Sequence, residues 1–113
     1  MTTKLLRFSH LSAPRQQLVR MCQTVNYGQI EGVVVRDGDP IFEPAPVVVI
    51  AAKLYRDDGP RPELALADFE LRDDVRRLMA RLDDAKNGRI HCIDVRAGLP
   101  RRVILESRLT GSA

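Results

Sequence analysis

Residues Asn26-Tyr27-Gly28-Gln29-Ile30-Glu31-Gly32-Val33-Val34-Val35-Arg36-Asp37-Gly38-Asp39-Pro40 return in altered form sixty positions later as Lys86-Asn87-Gly88-Arg89-Ile90-His91-Cys92-Ile93-Asp94-Val95-Arg96-Ala97-Gly98-Leu99-Pro100. Seven pairs agree outright or nearly so: Gly28/Gly88, Ile30/Ile90, Val33/Ile93, Val35/Val95, Arg36/Arg96, Gly38/Gly98 and Pro40/Pro100. Glycines, an apolar pattern and a turn at constant spacing describe one supersecondary unit used twice. Each copy reads as a strand, a turn and a returning strand.

The turn should be of one type in both copies. Asp37-Gly38 alone suggests a two-residue turn, but its counterpart is Ala97-Gly98, and Ala resists positive φ. A type I turn followed by a left-handed Gly bulge suits both, with Gly38 and Gly98 at positive φ and Pro40 and Pro100 opening the returning strands. The spacing Ile30-Val33-Val35, three then two, signals either a bulge or an Ile that still belongs to the helix exit.

Outward from the hairpins, a helix is expected from Ser12, a capping residue, to about Val25, with Leu11, Leu18, Cys22 and Val25 on one stripe. A second helix is expected from Asp68, with Leu71, Val75, Leu78, Met79 and Leu82 on its apolar face. Aligning the two requires a three-residue extension at Asp83-Asp84-Ala85. Gly28 and Asn87-Gly88 are expected to close the helices. Between the units, Pro44-Ala45-Pro46 leads into an apolar strand, Val47 to Tyr55, and then a turn-rich loop through Pro62. The polar tail after Glu106 is expected to fray.

The expected architecture is an α+β single domain, 1–113, of duplicated αββ units: repeat one about 12–43, an inserted strand and loop about 44–67, and repeat two about 68–107. Two helices should pack on a four- or five-stranded, mainly antiparallel sheet. The order αββαββ is a circular permutation of ferredoxin-like βαββαβ, with two αββ units clasped by pseudo-twofold symmetry as the alternative.

The chain has 113 residues, 44% of them hydrophobic and 29% charged, enough for a core without metals or disulfides. Aromatic residues are only 4% and Trp is absent, which weighs against a base-stacking surface. Fifteen of the 18 basic residues are Arg, but 15 acidic residues are scattered among them, so the net charge is only +3. Cys22 and Cys92 lack metal-ligand spacing and read as small buried residues. The short Leu5-Leu6 pair flanked by Lys4 and Arg7 is not a secretory signal, and the apolar run from Ala45 to Ala52 is too short to span a membrane. A cytoplasmic location is the expectation.

No catalytic or cofactor signature occurs, and no metal site or cofactor is expected. His91 and Asp94 fall on opposite faces of a regular strand and cannot act as a pair without a bulge. Arg72, Arg76, Arg77 and Arg81 are interleaved with Asp73, Asp74, Asp83 and Asp84, a salt-laced solvated face. Nucleic-acid or anion contact, the less favoured function, would use Arg36, Arg89, Arg96, Arg101 and Arg102 together with helix two. The pattern of helix, Gly, Ile-x-x-Val-x-Val-Arg-x-Gly-x-Pro resembles that of small bacterial helix-plus-hairpin proteins of uncharacterised function; the resemblance implies a fold and no activity.

Function is therefore sought in association. Val47, Val49 and Ala51 point one way along the inserted strand, and Val48, Ile50, Ala52 and Leu54 the other. Two helices cover one sheet face, so the second apolar face needs a partner, and another copy is the simplest one. Val47, Val49 and Ala51 are the candidate dimer interface of a non-enzymatic binding or scaffold protein.

Overall fold

A computed structural model of the chain describes residues 7–57 and 59–106. The tail beyond Glu106 lies outside them. The fold is α+β. Helices α1 (Ala13–Val25) and α2 (Asp73–Ala85) accompany strands β1 (Gly28–Arg36), β2 (Asp39–Ile41), β3 (Val47–Ile50), β4 (Gly88–Arg96) and β5 (Leu99–Glu106). Short 3-10 turns occupy Phe8–His10 and Pro62–Ala65. α1 and α2, and likewise β1 and β4, have bounds offset by the same sixty residues, so no extension is needed in the second helix.

Ser12 caps α1, its hydroxyl accepting from the Arg15 amide at 3.4 Å and donating to Asp39 at 2.7 Å, which ties the helix start to β2. α2 starts later than expected. Arg72 is its cap residue, while Asp68 instead pairs with Arg7 at 2.8 Å and accepts from the Ser9 amide at 2.8 Å. Both helices exit through a non-Gly residue at positive φ, Asn26 (63°) and Lys86 (56°), rather than through the glycines. Gly28 and Gly88 answer a different need. A Cβ would stand 1.9 Å from the Val49 carbonyl oxygen at Gly28, and 2.9 Å from that of Glu106 at Gly88. Each glycine lets the neighbouring outer strand approach closely.

All strand pairs are antiparallel, in the order β2-β1-β4-β5, with β3 also on β1. The central ladder runs from Gly28↔Val95 to Val35↔Gly88 and pairs the first strand of each unit. A permuted ferredoxin-like domain would instead place β2 and β5 at the centre, so that strand order is not the one adopted. β4 lines one edge of β1, leaving β2 (at Val34 to Arg36) and β3 (at Gly28 to Glu31) to share the other. β5 alone covers the equivalent edge of β4, with register shifts between Ile90 and Cys92 and between Asp94 and Val95.

Ile30 and Ile90 lie within strands and are fully buried, so the uneven spacing marks bulges. Gly32 takes φ 79° and the β4–β5 register shifts between Ile90 and Cys92. The hairpin turns correct the sequence reading. Arg36 pairs with Asp39 and Arg96 with Leu99, and both central residues are at positive φ: Asp37 53° and Gly38 80°, Ala97 51° and Gly98 74°. These are two-residue turns of the I′ kind, whose twist matches the flanking strands.

The core joins Leu18, Val19, Cys22 and Val25 of α1 and Val75, Leu78, Met79 and Leu82 of α2 to Ile30, Val33, Val35, Ile90, Ile93 and Val95. Each such side chain contributes about 1.5–3 kcal/mol when fully buried. The helix-free face is not the apolar surface expected. Gln29 there donates to Asp94 at 2.9 Å, and Cys92 and Arg102 gather on the same carboxylate.

Candidate interaction surface

β3 is where apolar surface meets solvent. After Pro44 and Pro46 the chain pairs with β1, Val48 opposite Ile30 on the helix side and Val49 opposite Gln29 on the other. Neither side is covered. Val47 is 59% exposed, Val48 42%, Val49 43% and Ile50 57%, although Val48 adjoins Met21 and Thr24 of α1 across a shallow groove. The expectation that one side of this strand belongs to the core is thus corrected. The strand also ends at Ile50, earlier than expected; Ala51 lies just beyond it, exposed, its amide donating to Tyr27 at 2.8 Å. Leu54 and Tyr55 follow, 97% and 80% exposed.

The equivalent outer edge, β5, has the opposite chemistry. Arg101 pairs with Asp74 at 3.1 Å, Arg102 approaches Asp94 at 3.8 Å, and Glu106 meets His91 Nε2 at 3.0 Å. Charged side chains of this kind are a common means of keeping a sheet edge from pairing with another chain. β3 offers four β-branched residues and no charge.

The Arg set does not assemble into one surface. Arg36 and Arg96 end β1 and β4, which run antiparallel, so they stand at opposite ends of the central ladder. Among the described residues neither takes part in an ion pair. Arg89 lies over Gly32, its Nη2 3.6 Å from where a Cβ would be. Arg101 and Arg102 are engaged with carboxylates, and an ion-paired guanidinium must give up that partner to neutralise a phosphate.

Chemistry at the thiols and histidine is equally constrained. Burial pushes the Cys22 thiol up to about 12. Burial first, and then the hydrogen bond to Asp94, also raise that of Cys92. Both therefore remain protonated at neutral pH, and a protonated thiol is a poor nucleophile. β4 does carry a bulge at His91, yet the ring turns to Glu106 rather than to Asp94. Among the described residues no three His, Cys, Asp or Glu side chains come together as a metal-binding set.

Arg15 and Gln23 have no place in the sequence reading, and Asp83 figures there only in a helix extension and a solvated, salt-laced face; Arg15 and Asp83 instead form a buried-to-surface pair between the helices. Arg15 is buried, with Nη2 2.6 Å from Asp83 Oδ1. An alignment of the helices without the three-residue extension sets Arg15 against Val75 and Asp83 against Gln23, a paired exchange visible in the residues themselves.

The chain matches no family model, no curated protein and no solved structure. No helix among the described residues is long and apolar enough to cross a membrane.

Proposed function

We propose that this chain is a non-enzymatic homodimeric binding or scaffold domain whose copies join edge to edge through β3. The observation that carries the reading is the contrast between the two outer edges: β5 is blunted by Arg101, Arg102 and Glu106, whereas Val47–Ile50 are apolar, exposed and uncharged. Antiparallel pairing of two β3 strands about a twofold axis would satisfy their outward backbone groups and continue the sheet from one copy into the next. Four residues make a short seam. Leu54 and Tyr55, just beyond it, add apolar area toward the roughly 1,200 Å² that a stable interface buries.

Amide hydrogen exchange tests this reading at the strand itself. The Val47–Ile50 amides that face away from β1 are expected to exchange more slowly as protein concentration rises, while those of β5 stay constant. Exchange at Val47–Ile50 that is independent of concentration would count against the proposal.

A further inference from the structure

The carboxylates interleaved with the arginines of α2 do not neutralise all of them. Asp73 pairs with Arg76 at 2.8 Å, Asp83 reaches across to Arg15 of α1 at 2.6 Å, and Asp74 holds Arg101 of β5 at 3.1 Å. Among the described residues Arg77 and Arg81 take part in no ion pair. They stand one helical turn apart, both exposed, on the flank of α2 beside β5. Like charges at this spacing repel and weaken a helix.

Between that flank and β5 lies a hollow of about 140 Å³, lined by Asp74, Arg77, Leu78 and Arg81 and by the stretch from Pro100 to Val103. Arg77, Arg81 and Arg101 bring three positive charges to it against the single carboxylate of Asp74, since Arg102 leans toward Asp94 on the helix-free face. Asp84 lies beyond Arg81, beside Ala85 and Leu105. Asp74 meets Arg101 at Nη1, which leaves Nε and Nη2 for a second acceptor.

The first half of the molecule supplies the comparison. Sixty residues earlier, Arg77, Arg81 and Arg101 correspond to Gln17, Met21 and Ile41, and Asp74 to Pro14. Gln17 and Met21 line the shallow groove beside Val48, where the one arginine, Arg20, is engaged by Gln23 and the carbonyls of Glu63 and Leu66. A general preference for Arg would fall on both halves alike. All three arginines instead meet at one hollow, although β4 separates α2 from β5 in the chain.

We propose that this hollow binds a phosphate monoester. The phosphate oxygens lie against the guanidinium groups of Arg77 and Arg81, and Arg101, held in place by Asp74, donates from Nε and Nη2. A monoester carries about −1.5 to −2 charge at neutral pH and so matches both unpaired guanidinium groups, where a carboxylate would match one. Planar N–H forks also fit phosphate oxygens in pairs. The hollow is smaller than the roughly 300–1,000 Å³ of pockets that enclose a whole ligand, so it takes the phosphate and leaves the remainder outside. It lies at the edge of the sheet opposite β3 and stands whether or not the chain dimerises.

Titration of the full chain with methyl phosphate at constant ionic strength, followed on the arginine Nε–H resonances, is the test. Saturable shifts at Arg77, Arg81 and Arg101 are expected. Methyl sulfate, of the same shape but with a single charge, should bind roughly tenfold more weakly or worse. The double variant Arg77→Gln/Arg81→Met places the residues of the first half at exposed positions; it should keep the fold and lose the shift at Arg101. Arg89→Gln removes the same charge away from the hollow and should leave the affinity unchanged. An N-acetyl-phosphoserine-methylamide probe that binds more tightly than methyl phosphate assigns the monoester to a polypeptide, and equal or weaker binding assigns it to a small molecule. Absent or unsaturable shifts, undiminished affinity of the double variant, methyl sulfate binding as tightly as methyl phosphate, or equal binding of an oligothymidylate without terminal phosphate would overturn the proposal.

Discussion

The Gly38 amide donates to the Lys86 carbonyl at 2.8 Å, tying the turn of the first hairpin to the exit of the second helix. The Gly98 amide makes the reciprocal bond to Asn26 at 2.9 Å. Each turn is thus held by the other unit's helix, and the turn conformation is imposed from outside the hairpin. That external hold explains how Ala97 persists at φ 51°. A Cβ in this region costs about 1–2 kcal/mol.

Relief of that strain is the first prediction. Ala97→Asn supplies the residue type that two-residue turns of this kind favour and is expected to stabilise the fold by about 1 kcal/mol. Gly98→Val, at φ 74°, should cost about 1–2 kcal/mol or more. Urea midpoints at unchanged slope measure both. No rise for Ala97→Asn would mean that the turn is not strained.

Gly28 governs whether β3 docks at all. A Cβ there would stand 1.9 Å from the Val49 carbonyl oxygen, backbone that cannot swing aside as a flexible side chain would. Gly28→Ala is expected to cost about 1–3 kcal/mol and to release the Ala51 amide from Tyr27, read as faster exchange at Ala51. Retained protection at Ala51 together with unchanged stability would contradict this.

The pair between Arg7 and Asp68 sets an acid-sensitive contact between the chain before α1 and the segment before α2. The hydrogen bond from Arg7, and next that from the Ser9 amide, hold the Asp68 carboxyl down to about 2, from an ordinary 3.8. A lowered carboxyl stabilises the fold above its unfolded value and loses that contribution as pH falls. The loss should therefore run from about pH 4 down through about 2. Carbon-detected titration should place the Asp68 midpoint near the lower value, and Asp68→Asn should remove the step. A midpoint at 3.8 would show that the pair does not form.

The hairpins were legible in the sequence because glycine, β-branched and proline positions recur at fixed spacing, and such patterns report backbone geometry directly. The turn type is not legible from Ala97 because its intrinsic preference is against positive φ, and the bond from the Gly98 amide to Asn26 overrides that preference. Asp68 reads as the start of helix two because Asp is a good cap, but its carboxylate is claimed by Arg7, a partner distant in sequence. That misplacement shifted the helices against each other and hid the exchange of Arg15 and Asp83 for Val75 and Gln23. The apolar residues of β3 suggest a half-buried strand, yet all four are exposed. Apolarity records a preference for burial without saying whether the same chain supplies the cover.

Exposure on both sides of β3 makes a specific mutational forecast. Val49→Asp and Ile50→Asp sit on opposite faces, yet each is expected to leave the monomer fold intact within about 1 kcal/mol, because neither side chain is in the core. Circular dichroism and urea unfolding check this. Loss of the fold with either variant would place that side chain in the core after all.

Sedimentation equilibrium of the unmodified chain at micromolar concentration tests edge-to-edge pairing most directly. The account predicts a mass of twice 12.7 kDa, falling to a single 12.7 kDa when Val49→Lys places a charge on the β3 edge. A single-chain mass for the unmodified protein across that concentration range would contradict it.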